Sequence, residues 1–292
     1  MKILITGHMG FVGKYFMKKY ADHDITGIDI KEGNDCRDFF KTNNEKFDMI
    51  IHLAAIVGGR ETIENNPLSV AIDLSIDAEM CQWALRTRPE HLVYFSSSAA
   101  YPTFLQNGVF YATTGCALQE NHIDLDNIRS PDLTYGWSKL TGEYCLQFVE
   151  QQGIKVHVFR PFSGYGTDQD LSYPFPSFID RANRLVETFD IWGDGRQVRD
   201  FIHIRDIVDA VDEAIKQDIK GPINLGSGIP VSFNTLQSMV CKIKGYEPKV
   251  NHILDAPKGV TYRVCQPTKM LSFYKPKIDL PKGIRMALEG EI

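Results

Sequence analysis

Tyr135 and Lys139 stand four residues apart in Tyr135-Gly136-Trp137-Ser138-Lys139, a spacing that puts both side chains on one face of a helix. An ammonium beside a phenol, joined by the positive charge of an oxidised nicotinamide, lowers the phenol pKa towards neutrality. Tyr135 could then take a proton from an alcohol while hydride leaves the same carbon, which is nicotinamide-dependent redox chemistry. The run Ser96-Ser97-Ser98 lies about forty residues upstream and offers hydroxyls for orienting such an alcohol. Tyr/Lys pairs also arise by chance on amphipathic helices, so the elements that must hold this pair decide its meaning.

Those elements begin at the amino terminus. Lys2-Ile3-Leu4-Ile5-Thr6 has the composition of a short buried strand, and Gly7, Gly10 and Gly13 follow at once within Thr6-Gly7-His8-Met9-Gly10-Phe11-Val12-Gly13. Residues Phe11 to Tyr20 carry a helical apolar pattern. Strand, glycine turn and helix in this order form a dinucleotide cradle: glycine permits close approach of a pyrophosphate, and the helix N-terminus, at Phe11 and Val12, supplies amide donors. A second strand, Asp24 to Ile28, ends at Asp29. A carboxylate there can bind both adenosine ribose hydroxyls and would repel a 2′-phosphate, which favours NAD over NADP.

Further strands are predicted at Asp48 to Ala55, Leu92 to Phe95, Ile154 to Phe159 and Pro222 to Gly226, with a long helix from about Leu68 to Arg86. The first of these ends in Leu53, Ala54 and Ala55, small enough for a cofactor to pass closely; the second delivers the serines to a carboxyl end, where ligands of open parallel sheets bind. The fold class is therefore α/β, a Rossmann-type doubly wound parallel sheet with a smaller C-terminal substrate lobe. The expected division gives residues 1–165, with a returning segment at about 200–227, to the dinucleotide-binding domain, and residues 166–199 and 228–292 to the lobe.

At 292 residues, 43% hydrophobic and 24% charged, the chain can bury a large core. Its net charge of −5 argues against a nucleic-acid partner. No run of eighteen apolar residues suggests a membrane span, and no signal-peptide cleavage pattern follows the first strand. The six cysteines show neither CxxC spacing nor a metal-ligand cluster and are expected to be reduced thiols in a cytoplasmic protein that binds no metal.

TGHMGFVG, Asp29, HLAA, SSSAAYP, YGWSKLTGE, FRPFSGYG, WGDGRQVRDFIHIRDI and INLGSG occur in an order that resembles the extended short-chain dehydrogenase/reductases of the NAD-dependent epimerase/dehydratase family, whose members act on nucleotide sugars. The resemblance implies roles residue by residue. Ser97 matches the catalytic Ser/Thr, Tyr135 the acid/base, and Lys139 the residue that binds the nicotinamide ribose and tunes the tyrosine. Asp35 and Cys36 resemble the pair that flanks adenine, and Pro161 lies on the cofactor path. Asp73 falls where many relatives have Asn near the cofactor. Gly59, Ser98 and Ser163 fall at substrate-binding places, Ser163 standing where many relatives have Asn. Arg199 and Arg263 resemble the arginines that clamp the substrate's pyrophosphate, a task suited to planar bidentate forks; the alternative for Arg199 is pairing with Asp200 or Asp206.

Missing residues narrow the implied reaction. The Asp and Glu with which similar 4,6-dehydratases eliminate water are replaced here by Ser98 and Ala99. The Cys and Lys acid/base pair of similar GDP-mannose 3,5-epimerases would fall at Ala99 and near Tyr173. The remaining expectation is C4 epimerisation of a nucleoside-diphosphate sugar through a transient 4-keto sugar, with a 4-keto-sugar reductase as the first alternative and a 3,5-epimerase or 4,6-dehydratase of the same family behind it. Relatives commonly dimerise through two helices per subunit, which implies a homodimer packed around 68–86 and 135–150.

Overall fold

The computed structural model describes residues 1–58, 60–108 and 116–291. The amino-terminal part alternates strand and helix: β1 (Lys2–Thr6), α1 (Phe11–Lys19), β2 (Asp24–Ile28), α2 (Cys36–Thr42), β3 (Met49–His52), α3 (Arg60–Asn65), α4 (Pro67–Val70), α5 (Asp73–Thr87), β4 (His91–Phe95), α6 (Leu133–Gln151) and β5 (Lys155–Pro161). After the short strand β6 (Ser163–Tyr165) come α7 (Pro174–Asn183), β7 (Thr188–Trp192), β8 (Val198–His203), α8 (Ile204–Lys216) and β9 (Ile223–Leu225). The chain closes with β10 (Pro230–Ser232), α9 (Phe233–Lys244), β11 (Lys249–Ile253), β12 (Tyr262–Arg263), α10 (Thr268–Leu271) and α11 (Leu280–Glu289).

Six strands pair in the order β2-β1-β3-β4-β5-β9, each pair parallel. Their sequences are largely apolar because helices cover both faces. Within β1, Ile3 and Ile5 enter one core with Phe16 of α1 and Val208 and Val211 of α8, whereas Leu4 enters the opposite core with Phe40, Met80 and Trp83. Met49 and Ile51 against Ile50, and Val93 against Leu92 and Tyr94, repeat the alternation. Each fully buried aliphatic side chain contributes roughly 1.5–3 kcal/mol, which fixes strand register and hence the position of every loop at the carboxyl edge.

A second body forms where the alternation stops. Strands β10, β8 and β12 form one sheet, with β6 also paired to β8, and β7 pairs in parallel with β11. Phe175, Phe178, Phe189, Phe201 and Phe233 fill its core between α7, α9 and α11. Strands β6 and β8, from segments expected in the dinucleotide-binding part, thus pair outside the six-stranded sheet, whereas α8 packs on that sheet and β9 lies within it. Sequence expectation and structure also differ at 68–86, where one helix was expected. The helix breaks after Val70 and α5 starts afresh at Asp73, whose fully buried carboxylate turns inward to accept the Ile56 N–H at 2.6 Å. The strand expected over 48–55 is trimmed to Met49–His52: the Leu53 N–H still reaches the Thr6 backbone oxygen at 3.2 Å, but the Ala54 N–H turns to the Thr6 hydroxyl.

Candidate active site

The turn after β1 is closed by contacts that only glycine allows. Gly7 has φ +73, and a Cβ there would lie 2.9 Å from the Ala54 nitrogen and 3.0 Å from the Leu53 carbonyl carbon. At Gly13 a Cβ would lie 2.3 Å from the Gly7 oxygen and 2.6 Å from His8 Cα, both backbone atoms that cannot yield. Helix α1 therefore begins hard against the turn. Gly10 is its N-cap and offers no side-chain cap, so the first amides, at Phe11, Val12 and Gly13, are left for an external acceptor. That cradle fits the pyrophosphate of a dinucleotide.

Asp29, at the carboxyl end of β2 and 6% exposed, accepts the Met9 N–H at 2.9 Å through one carboxylate oxygen and the Lys31 N–H at 2.9 Å through the other. It locks the glycine turn while each oxygen keeps a further acceptor site. Asp35 caps α2 and is gripped by the Arg37 guanidinium, which holds its carboxyl below the usual carboxylate range. Cys36 is buried, and burial pushes its thiol up to about 12, which suits a packing role. Leu53, Ala54 and Ala55 line the edge next to the glycine turn, and Pro161 ends β5 two strands farther on.

Helix α6 brings Tyr135 and Lys139 to the serine turn. A Cβ on Gly136 would lie 2.4 Å from the Ala99 oxygen, so glycine lets the helix dock directly on that turn. Ser97 opens the turn, its hydroxyl accepting the Ala99 N–H at 3.0 Å, and its side chain hydrogen-bonds Tyr135. Lys139 is 4% exposed, with Nζ 5.1 Å from the Tyr94 ring centroid and 5.9 Å from that of Tyr135. The three residues expected to do the chemistry are thus together. Their electrostatics differ from expectation: Tyr135 is pushed above the ordinary phenol value, first by burial and then by the Asp73 carboxylate, and the Ser97 hydrogen bond offsets only part of this. The expectation considered Lys139 and overlooked the carboxylate beside it. Asp73 itself is raised to about 6 by burial, with Lys139 opposing.

Behind this turn lies a buried network that sequence reasoning missed. Glu143, two turns below Tyr135 on α6, receives Arg160 Nε at 2.9 Å and Nη2 at 2.6 Å, and also bonds Ser96. Arg160 Nη1 reaches the Tyr101 hydroxyl at 3.0 Å and the Glu120 carbonyl at 2.8 Å, and Tyr101 in turn donates to Asn224 at 2.7 Å. Helix, serine turn and the two sheet strands β5 and β9 are thereby pinned around Ser97. Ser98 is buried in the same turn, and Ser163 is half-buried on β6.

On the other side of Tyr135 the second body contributes cations. Arg263 donates to Asp132 at 2.7 Å and to Gln106 at 2.5 Å. Arg60, which the sequence did not single out, grips both oxygens of Asp132 at 2.8 and 3.0 Å. Arg199 makes no ion pair among the described residues. It donates to the carbonyls of Val198 and Val260 at 2.8 and 2.9 Å and stacks 5.6 Å from the Phe233 ring centroid. Burial and the neighbouring Arg263 pull its pKa down to about 9, the sign of a cation short of a counter-anion. The alternative partners are engaged elsewhere: Asp200 accepts from Ser227, Gly228 and Cys265, and Asp206 from Tyr274, Lys277 and Ile278. Gly59 lies outside the described residues. Three guanidiniums meet two carboxylates here, Asp132 between Arg60 and Arg263 and Glu64 on Arg60, which leaves Arg199 as the cation open to an anionic ligand among the described residues.

A profile of the NAD dependent epimerase/dehydratase family matches residues 3–226. The chain belongs to that family. It is an NAD-dependent enzyme of the extended short-chain dehydrogenase/reductase type, and the glycine cradle and its amides fit the cofactor. Among curated relatives, a GDP-L-colitose synthase from Yersinia pseudotuberculosis is 26% identical over 97% of this chain and 96% of its own. A GDP-mannose 3,5-epimerase from Arabidopsis thaliana is 27% identical over 98% of this chain and 81% of its own. The UDP-glucose 4-epimerase of Thermus thermophilus, solved with NAD, superposes with a TM-score of 0.82 at 19% identity over 99% of this chain and 98% of its own, which establishes the shared fold. Among the described residues no helix is long and apolar enough to cross a membrane, and no cluster of His, Cys, Asp and Glu could hold a metal ion.

Proposed function

We propose that this family member inverts C4 of a nucleoside-diphosphate hexose. The observation that carries the reading is a complete proton-transfer group beside an incomplete one. Ser97, Tyr135 and Lys139 converge, whereas the places for a second acid/base hold Ala99, which is 4% exposed, and Tyr173, which burial pushes above the ordinary phenol value. Removal of a proton from C3 or C5 has no base there; transfer of the C4 hydroxyl proton has one.

In this reading Ser97 orients the C4 hydroxyl and Tyr135 takes its proton, later returning it to the same oxygen. Lys139 holds the nicotinamide ribose and supports the Tyr135 phenolate. NAD, held by Gly7, Gly10, Phe11, Val12, Gly13, Asp29, Asp35, Cys36, Leu53, Ala54, Ala55 and Pro161, supplies reversible hydride acceptance. Arg199 and Arg263 anchor the diphosphate, with Ser98 and Ser163 against the sugar, so a 4-keto hexose can turn over while its tether stays fixed. The relatives that act on GDP- and UDP-sugars support a nucleotide-sugar substrate.

One feature favours a second reading, reduction of a 4-keto sugar: burial, and after it the Asp73 carboxylate, push the Tyr135 phenol up, which suits a proton donor. Leu74, Leu85, Trp137, Tyr144 and Phe148 are exposed on α5 and α6 and support a homodimer packed through those helices. Six free thiols support a reducing, cytoplasmic setting. Incubation with UDP-, GDP-, CDP- and dTDP-hexoses and catalytic NAD, followed by NMR of the products, tests the function. A C4-inverted sugar is expected; conversion that consumes stoichiometric reduced cofactor would replace the reading with the reductase.

A further inference from the structure

Asp73 begins α5 with its side chain fully buried, yet only half of its carboxylate is used. Oδ1 accepts the Ile56 N–H at 2.6 Å, while Oδ2 is buried without a hydrogen-bond partner among the described residues. A carboxamide would satisfy one backbone N–H equally well, so the charge is not needed to hold the loop. The groups around it are those of the catalytic centre. Asp77 lies one turn along its own helix and accepts the Tyr94 hydroxyl, and Lys139 Nζ of α6 lies 5.1 Å from that Tyr94 ring centroid and 5.9 Å from the Tyr135 ring centroid, so the charges of Asp73 and Lys139 act on one another. Asp77 is tied to His52 of β3 at 3.2 Å and to Tyr94 of β4 at 2.6 Å, and Arg263 of β12 acts on Tyr135 in the opposite sense to Asp73. The Lys139 charge thus acts on both carboxylates while its Nζ lies 5.9 Å from the Tyr135 ring centroid.

We propose that Asp73 is a positioning residue of the catalytic centre: its carboxylate draws on Lys139 and opposes phenolate formation at Tyr135, and its protonation releases Tyr135 to act as a base. The proposal rests on Tyr135 being the proton-transfer group. In the oxidative direction the alcohol O–H bond breaks, the proton goes to Tyr135 Oη, and hydride from the same carbon reduces the cofactor; Asp73 exchanges nothing with the substrate and alters only the cost of the phenolate. The sign follows from like charges: an anion at Asp73 raises the pKa of Tyr135, so removing it lowers that pKa.

Asp73→Asn keeps the acceptor for the Ile56 N–H and deletes the charge. In the variant the Tyr135 limb of the kcat/KM profile for sugar oxidation is expected at lower pH by about one unit, hence about tenfold faster on that limb. A second readout needs no turnover: ultraviolet titration of tyrosinate in the NAD-bound protein, with each corresponding Tyr135→Phe protein as blank. The Tyr135 signal is expected at lower pH in Asp73→Asn than in the parent. An unchanged or upward-moved tyrosinate midpoint would overturn the proposal. Failure of the parent to convert any nucleotide sugar would overturn the proposed reaction, with the tyrosinate titration still deciding the role of Asp73.

Discussion

In the proposed reading, the two ends of the site would bind phosphate by opposite means. At the cofactor end, Gly7, Gly10 and Gly13 sit within one short turn, and recognition is by backbone amides whose positions follow from the absence of Cβ atoms. At the proposed substrate end, Arg60, Gln106, Asp132, Arg199 and Arg263 arrive from five separate segments, and recognition would rest on side-chain charge. The contiguous site is fixed by local geometry and can serve one ligand shape. The assembled site changes with any single residue, which suits a family whose members share a cofactor and differ in substrate.

Tyr135 stands between the two ends, and its substitution is the largest expected effect. Tyr135→Phe should lower turnover about 10²–10⁴-fold while NAD and nucleotide binding, measured by calorimetry, stay near parent values. Loss of either binding would erase the distinction between a chemical centre and two binding ends.

The same contrast sets how much was legible in the sequence. The glycine turn, Asp29 and the Tyr135/Lys139 pair could be placed because each depends on spacing within a strand, turn or helix. The six-stranded sheet followed from apolar runs buried on both faces. Glu143, Arg160 and Asn224 could not be found that way, since their partners lie on different strands and their roles exist only after folding. Arg60 escaped for the same reason, although its position next to Gly59, which the resemblance singled out, was a usable signal. The upward push on the Tyr135 phenol was not legible because it comes from burial and then from Asp73, more than sixty residues upstream and a neighbour only in space.

Arg199→Met sharpens the comparison at the substrate end. Losing a charge-assisted contact worth about 1.5–3 kcal/mol should raise KM for the nucleotide sugar roughly 10- to 100-fold and leave NAD affinity unchanged in the same titration. Equal losses for both ligands would mean that Arg199 supports the fold.

At the cofactor end Asp29→Ala should give the smallest effect, because the amides of α1 remain. Preference for NAD over NADP should fall by about tenfold, as one unit of 1.4 kcal/mol in discrimination, measured by titrating both dinucleotides into stripped protein. A variant that still rejects NADP as strongly as the parent would remove Asp29 from cofactor selection.

The central claim, that Tyr135 supplies the single proton-transfer group and nothing at Ala99 or Tyr173 supplies another, is tested by running the reaction in heavy water with catalytic NAD. Product carrying no deuterium on carbon, formed without net consumption of cofactor, is the predicted result; deuterium at C3 or C5 would contradict it.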